Sequence, residues 1–483
     1  MTSKPSLIVA LSALLLATGC ARILGDNKAR EVNREVPDTW GAFGGAAAAS
    51  ASSARASASA QQKWDEFFTD PHLRALIEEA LENNQELNIR VQEIIITQSE
   101  VAARRGAYLP SLDAEVGAGI EKVGTSSSQG QSDEAHGVPA NLPHLAFGLS
   151  AAWEIDIWGK LRNAAKAANS RYLASIEAKN FLITQIIAEI ADSYYELVAL
   201  DNQLDVLDRY IALQQDALEI VRLKKEAARA TELAVQRFEA EVLKNQSLRF
   251  DLLQRQIEAE NRINFLVGRY PQHVERDSAG FKETEPPSVG AGIPSDLLDN
   301  RPDVRAAELI LEGSKLDVKA AKAAFFPTLS IEAGVGYDSF NARHLISTPQ
   351  SLVYNLAGNL VAPLLNRAAL KADYRTANAR QIQAVFDFER TLLMAFTEVV
   401  NYLAMVENLR NRFERQKLQV ETLEAAVDTS NILYQSARAD YMEVLLTRRD
   451  ALEAEMELIE TRKAQRQAIV GIYRALGGGW RTE

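Results

Sequence analysis

Four stretches of the chain alternate between apolar residues and polar or small ones. They cover about residues 111–121, 145–157, 328–340 and 351–362. A period of two places the apolar side chains on one face of a β-strand and the small or acidic ones on the other. Strands of about 9–11 residues with this pattern are typical of transmembrane barrels. The alternation therefore predicts four membrane strands; the alternative, a soluble sandwich with one wet face, needs more strands than four.

Four strands are too few to enclose a pore. The smallest membrane barrels have about eight strands, and an open sheet edge in lipid leaves backbone groups without hydrogen bonds. Other subunits must complete the sheet, which predicts an oligomer. Two copies would supply eight strands and three copies twelve, and this count leaves both possibilities open.

The polar face of the strands carries acidic side chains. If this face lines a lumen, it favours cations or tolerates zwitterions. The candidate pore-lining residues are Asp113, Glu115, Glu154, Asp156, Glu332 and Asp338.

Two segments predict very long helices. Residues 160–225 and 367–436 contain neither proline nor glycine, and each would span roughly 100 Å as one helix. Shorter partners follow at 231–267 and 441–476, with apolar residues at helical spacing. The predicted fold class is mainly α with transmembrane β-strands; an ordinary coiled-coil rod is the alternative for the helices alone.

The chain repeats itself. Leu109-Pro110-Ser111-Leu112 parallels Phe326-Pro327-Thr328-Leu329, and Ala228-Arg229-Ala230 parallels Ala437-Arg438-Ala439. Each half reads as a helix, two strands, a long helix, a sharp break and a second long helix. The predicted organisation is two repeats, 63–270 and 293–480, joined by a linker at 271–292.

The N-terminus predicts export and lipidation. Residues 1–19 have a basic start, a short apolar run and small residues before Cys20, the one cysteine of the chain. This pattern resembles a bacterial lipoprotein signal, with Cys20 as the lipidated first residue; an ordinary cleavable signal with an incidental cysteine is the alternative. Residues 20–62, rich in Ala, Ser and Gly, are expected to form a tether.

Composition removes several functional classes. The 483 residues carry a net charge of −12, which argues against a general nucleic-acid binder. A single cysteine excludes internal disulfides and Cys-rich zinc sites. Neither a P-loop, a dinucleotide-binding glycine pattern nor a metal triad occurs, so the sequence predicts no catalytic site, cofactor or metal site.

Several motifs together resemble one family, the trimeric outer-membrane efflux channels, or outer-membrane factors, of tripartite pumps. Within it the lipoprotein branch that serves resistance–nodulation–division transporters is the most similar. The resemblance implies a homotrimer, a twelve-stranded barrel in outer-membrane lipid and a helical tunnel through the periplasm. It also implies two partners, a periplasmic adaptor and an inner-membrane transporter. The motifs are at residues 106–112, 153–162, 293–303, 323–327 and 475–480.

The resemblance also implies that the helical tips close the tunnel until the adaptor engages them. The family often has an acid there, in a Leu-Asp-Ala-Gln-Arg-like run, whereas this chain has Leu445-Leu446-Thr447-Arg448-Arg449. The constriction is therefore expected to be apolar or lined by arginine, unless these residues only pack the hairpin. Asp440 is expected as the helix N-cap. The candidate tip and gate residues are Arg229, Glu232, Asp440, Tyr441, Met442, Leu446 and Arg448.

The function implied is passive conduction of substrates supplied by a separate pump. A channel for protein secretion and a non-conducting structural rod are the alternatives. The sequence leaves the exported compound open.

Overall fold

Helices make up most of the structure. The computed structural model describes residues 30–40, 62–282, 284–287, 290, 294, 296–436 and 438–481. Within these residues the chain forms one four-stranded sheet and a set of helices, four of them long. The predicted fold class, mainly α with four strands, is confirmed. The signal at 1–19, Cys20 and most of the tether at 20–62 lie outside the described residues.

The long helices end close to the predicted breaks. α5 and α9 have 67 and 68 residues, and their partners α6 and α10 have 36 and 35. The helices are α1 (Trp64–Phe67), α2 (Pro71–Asn83), α3 (Gln85–Gly106), α4 (Ser128–Ala135), α5 (Lys160–Glu226), α6 (Glu232–Val267), α7 (Asp296–Asn300), α8 (Pro302–Ala323), α9 (Ala368–Gln435) and α10 (Tyr441–Ala475).

The sheet is antiparallel throughout, in the order β1-β2-β3-β4. β2 begins three residues before the predicted stretch and ends two residues before its end, because the chain turns at Asp156 into α5. The strands are β1 (Ser111–Glu121), β2 (Leu142–Ile155), β3 (Thr328–Ser339) and β4 (Leu352–Val361).

The chain forms two compact units. Among the described residues, the sheet unit comprises 30–32, Ile94–Ala174 and Glu308–Asp387, and includes all four strands. The helical unit comprises the described residues within 33–93, 175–307 and 388–481.

The helical unit has a continuous apolar core. The expected helical stripe of α5, which includes Leu182, Ile186, Ile190 and Leu197, is buried. Each such side chain contributes roughly 1.5–3 kcal/mol when it leaves water. Tyr473 of α10 stacks on Phe67 at a ring distance of 3.9 Å, so the end of the chain is packed into this core.

The two repeats end in the same way. Gly268 follows α6 with φ of +86°, and Gly477 follows α10 with φ of +87°, a conformation that glycine adopts without strain. A Cβ at Gly268 would lie 2.5 Å from the carbonyl oxygen of Asn83, and one at Gly477 would lie 2.5 Å from that of Asn300. In both halves a glycine therefore lets a long helix end against a short one.

The described part of the linker packs on α5 and α6 of the helical unit. The buried Arg276 guanidinium donates to Asp201 at 2.6 and 2.9 Å and to Glu260 at 2.5 Å. Val274 is fully buried beside it. These contacts fix the path of the chain between the two halves.

One stretch of α9 is apolar enough to cross a membrane by length and composition, the one such case among the described helices. Its mean hydropathy is 1.2, and 28% of it is buried. A helix that packs against other helices has the same composition, so the strands remain the better candidates for the membrane span.

Candidate channel-lining sheet and helical tip

The strand register brings the predicted acids to one face of the sheet. Directly paired residues of an antiparallel sheet share a face. Asp113 is paired with Ser150, which is paired with Gly334, which is paired with Asn355, so this row is polar or small across all four strands. The same face carries Glu115, Glu154, Glu332 and Asp338.

Three of these acids have polar or basic partners. Ser150 Oγ donates to Glu115 Oε1 at 2.8 Å, and Glu154 Oε1 lies 2.5 Å from Lys160 Nζ. His144 Nε2 lies 3.2 Å from Asp338 Oδ2. His144 is not among the site residues predicted from the sequence. The alternation of β2 nevertheless places it on the same face as Ser150 and Glu154.

Asp156 lies just beyond β2, at the turn into α5. Its carboxylate accepts hydrogen bonds from the backbone N–H groups of Leu161 at 3.1 Å and Arg162 at 2.9 Å. Arg162 Nε also donates to it at 3.1 Å, and the side chain is nearly buried. The carboxylate thus satisfies free donors at the start of a helix, and its lining of a pore stays a prediction.

The opposite face of the sheet is apolar and exposed. Val116 is 88% exposed and Tyr354 is 81% exposed. Phe147 and Tyr337 stack on this face with ring centroids 5.4 Å apart. An apolar surface that extends over four strands indicates contact with lipid or another subunit.

Both outer strands are long, and among the described residues their outer edges have no partner strand. β1 has 11 residues and β4 has 10, and the sheet begins with one and ends with the other. Long apolar edges pair readily with further strands, so each outer edge could be extended by another strand.

The tip between α5 and α6 turns tightly. Ala228 has φ of +57°, and Thr231 Oγ1 caps α6 by accepting from the N–H of Ala234 at 3.2 Å. Lys225 lies across the turn and forms a hydrogen bond and an ion pair with Glu232. The hydrogen bond and the positive charge of Lys225 hold the pKa of Glu232 below its usual range. Arg229 is exposed at the tip.

The tip before α10 combines apolar packing with polar contacts. Asp440 occupies the N-cap position, but its side chain makes no capping hydrogen bond within the described residues. Tyr441 lies 6.4 Å from Phe238, ring to ring, and Met442 Sδ lies 2.9 Å from Arg237 Nη1. Leu446 is 40% exposed, so it is available to line a passage.

Arg448 joins three helices of the helical unit. Its Nη2 donates to Asn431 Oδ1 of α9 at 3.0 Å, and its Nη1 donates to the carbonyl oxygen of Leu213 of α5 at 3.4 Å. A second link, absent from the sequence predictions, places Lys224 Nζ 4.0 Å from the centre of the Tyr434 ring. The partners are too far apart in sequence for spacing to reveal these links.

Comparison with known proteins gives a family and two named relatives. The sequence model for outer membrane efflux proteins matches residues 76–269 and 293–478. Pyoverdine export outer membrane protein OpmQ of Pseudomonas aeruginosa is 30% identical over 427 residues, 88% of this chain and 89% of OpmQ. Cation efflux system protein CusC of Escherichia coli is 26% identical over 420 residues, 86% of this chain and 88% of CusC.

A solved structure has the same fold. The open state of the MtrE outer membrane channel of Neisseria gonorrhoeae is similar with a TM-score of 0.82. The two sequences are 23% identical, and the match covers 94% of this chain and 98% of MtrE. Four strands and long paired helices therefore recur together in an outer-membrane channel.

Proposed function

The chain belongs to the outer membrane efflux protein family, and from this membership we propose that three copies form one channel through which an efflux system exports its substrates. One observation carries the proposal. The described sheet has an acidic face, an apolar face and, at each end, a strand whose outer edge is unpaired. Such a sheet is suited to be one third of a barrel with a polar lumen and a lipid-facing exterior.

The number of copies follows from closure. β4 of one copy would pair with β1 of the next, which removes every edge from the lipid. Two copies would give an eight-stranded barrel, whose interior is filled by side chains. Three copies give twelve strands and leave room for a lumen.

The proposed partners rest on passive conduction and on the family resemblance. A channel moves its substrate passively, so a separate transporter must supply the energy. The resemblance implies an inner-membrane transporter of the resistance–nodulation–division type and a periplasmic adaptor that joins the two. OpmQ is named for pyoverdine export and CusC for cation efflux, so the conduit is their shared function and the exported compound of this chain is not assigned. Cys20 is the proposed site of the lipid anchor.

Neutralising the acidic face is expected to lower cation selectivity. In a variant with Asp113→Asn, Glu115→Gln, Glu332→Gln and Asp338→Asn, the ratio of cation to anion permeability should fall towards one, since fixed carboxylates no longer attract cations. Reversal potentials of single channels in planar bilayers under a salt gradient measure this ratio. An unchanged potential would disprove the lumen assignment, and a lack of conductance that persists when the helical tip is mutated would disprove the channel.

The helical tip is the proposed gate. Tyr441, Met442 and Leu446 would form its apolar part, with Arg229, Glu232 and Asp440 beside them, and Arg448 would hold it closed. The support for this assignment is that Arg448 reaches both α9 and α5 from α10. A substrate passing between the tips would have to separate these helices.

Arg448→Ala is expected to raise the open probability of the channel. The two lost hydrogen bonds come from a charged donor, but the site is partly exposed, so roughly 1 kcal/mol and about a fivefold change are expected. Single-channel recording gives the open probability directly. Arg449→Ala is the matched control, because Arg449 pairs with Asp450 and Glu453 on its own helix. Equal effects of the two substitutions would exclude a specific gate role for Arg448.

A further inference from the structure

Positive charge gathers where the strands meet the helices. The whole chain has a net charge of −12, yet each of four short segments next to the strands has two more basic than acidic residues. We call these segments the collar. The collar comprises residues 101–110, 156–166, 318–327 and 362–375.

The sheet topology brings the four collar segments to one edge. In the antiparallel register Ser111 lies opposite Ala152, Ile155 opposite Leu329 and Thr328 opposite Val361. The start of β1, the end of β2, the start of β3 and the end of β4 are therefore neighbours. At 1.5 Å per helical residue, the basic side chains of the collar lie within roughly 15 Å of that edge.

Several basic side chains of the collar have no hydrogen-bond or ion-pair partner among the described residues; we call these groups uncommitted. Five such side chains are exposed. These five are Lys166, Lys319, Lys322, Lys371 and Arg375. By contrast, Lys160 and Arg162 pair with acids of their own segment. The uncommitted groups leave positive charge available for an external partner.

Exposed apolar and aromatic side chains lie in the same segments. Leu365 is 89% exposed, and Leu109, Ile157 and Leu364 are also exposed. Trp158 is half exposed and fixed in place, since its Nε1 donates to the carbonyl oxygen of Pro327 at 2.9 Å and its ring stacks on Phe326 at 4.8 Å. Tryptophan and basic residues are typical of the boundary between membrane and water.

We propose that the collar binds the headgroups of anionic phospholipids in the leaflet that faces the periplasm. The inference rests on the proposed channel, which places the strands in the membrane and the helices below it. Apolar collar residues would enter the headgroup layer while lysine and arginine contact phosphates. The acidic remainder of the chain would repel the same lipids, so binding would be confined to this collar.

The test uses the full-length trimer in detergent and phosphatidylglycerol as the probe, against phosphatidylethanolamine. Native mass spectrometry counts the lipids retained. The collar variant combines Lys166→Gln, Lys322→Gln, Lys371→Gln and Arg375→Gln. The control removes the same charge from exposed residues of the helical unit, with Arg90→Gln, Arg412→Gln, Arg415→Gln and Lys417→Gln.

The collar variant should retain about fivefold less phosphatidylglycerol than the control, with phosphatidylethanolamine unchanged. Equal retention by the two variants would overturn the proposal. So would a shift of the reversal potential without a loss of lipid, because the basic groups would then line the conduit. A wild-type protein that neither forms trimers nor conducts fails the channel proposal before any lipid is compared.

Discussion

Replacing Arg301 by alanine is expected to lower the free energy of unfolding by about 3 kcal/mol, because it leaves two partly buried acids without their buried counter-ion. The buried guanidinium donates to Asp303 at 2.8 Å, to Glu398 at 2.8 Å and to the carbonyl oxygen of Ala475 at 2.7 Å. It thereby connects the start of α8, the middle of α9 and the end of α10. Arg474 Nη2 also binds Glu398, at 2.8 Å, so Glu398 keeps a basic partner after the substitution. Asp303 and the carbonyl oxygen of Ala475 lose their hydrogen bonds from the guanidinium.

Thermal unfolding followed by far-UV circular dichroism measures this loss, at equal protein concentrations because assembly contributes to stability. Arg410→Ala is the matched control: Arg410 is an exposed arginine paired with Glu407 on the same helix. Its removal should change the free energy of unfolding by less than about 1 kcal/mol. A loss for Arg301→Ala no larger than that for Arg410→Ala would contradict the central role of Arg301.

The regular elements could be predicted because their signals are local. Alternation with a period of two over a dozen residues is typical of a β-strand. The register then places the acids of the strands on one face, as in the pairing of Asp113 with Ser150. The uninterrupted length of α5 and α9 follows equally from the absence of proline and glycine between Lys160 and Glu226 and between Ala368 and Gln435.

The long-range contacts could not be predicted. α8 begins at Pro302, and proline is typical of the first position of a helix. The sequence does not reveal that Arg301 binds Glu398, 97 positions away, or Ala475, 174 positions away. Such partners depend on how helices pack, and pairwise spacing carries no information about that packing.

The candidate site was partly within reach of the sequence. The alternation of β2 assigns Asp156 to the polar face. That alternation applies only within the strand, and the strand ends at Ile155. Composition favours Asp440 as a side-chain cap, whereas the cap that forms is at Thr231 of the other tip. A preference at one residue is weaker than the geometry of the turn around it.

Asp192 is the most unusual ionisable group of the helical unit. It lies on α5, with Arg474 of α10 and Tyr402 of α9 near enough to interact electrostatically. Its Oδ1 is buried and has no hydrogen-bond partner among the described residues. Burial raises the pKa of Asp192 to about 7; the positive charge of Arg474 opposes this, and Glu189 adds to it.

A raised carboxyl pKa makes the folded state less stable as pH rises. Between the ordinary pKa of about 4 and the folded pKa, the folded chain keeps a proton that the unfolded chain has lost. The contribution of Asp192 is therefore most favourable at low pH. It declines up to about pH 7, and above that it stays at a constant cost, since both states are then ionised.

Asp192→Asn is accordingly expected to reduce the loss of stability between about pH 5 and pH 8 by roughly 2–3 kcal/mol, because asparagine cannot ionise. Thermal unfolding of both proteins across this range gives the difference, in which the remaining acids cancel. Asp205→Asn is the control, because Asp205 is an exposed acid on the same helix, paired with Arg209. It should leave the pH dependence as in the wild type. If Asp192→Asn and Asp205→Asn gave the same curve, the burial of Asp192 would not determine how stability depends on pH.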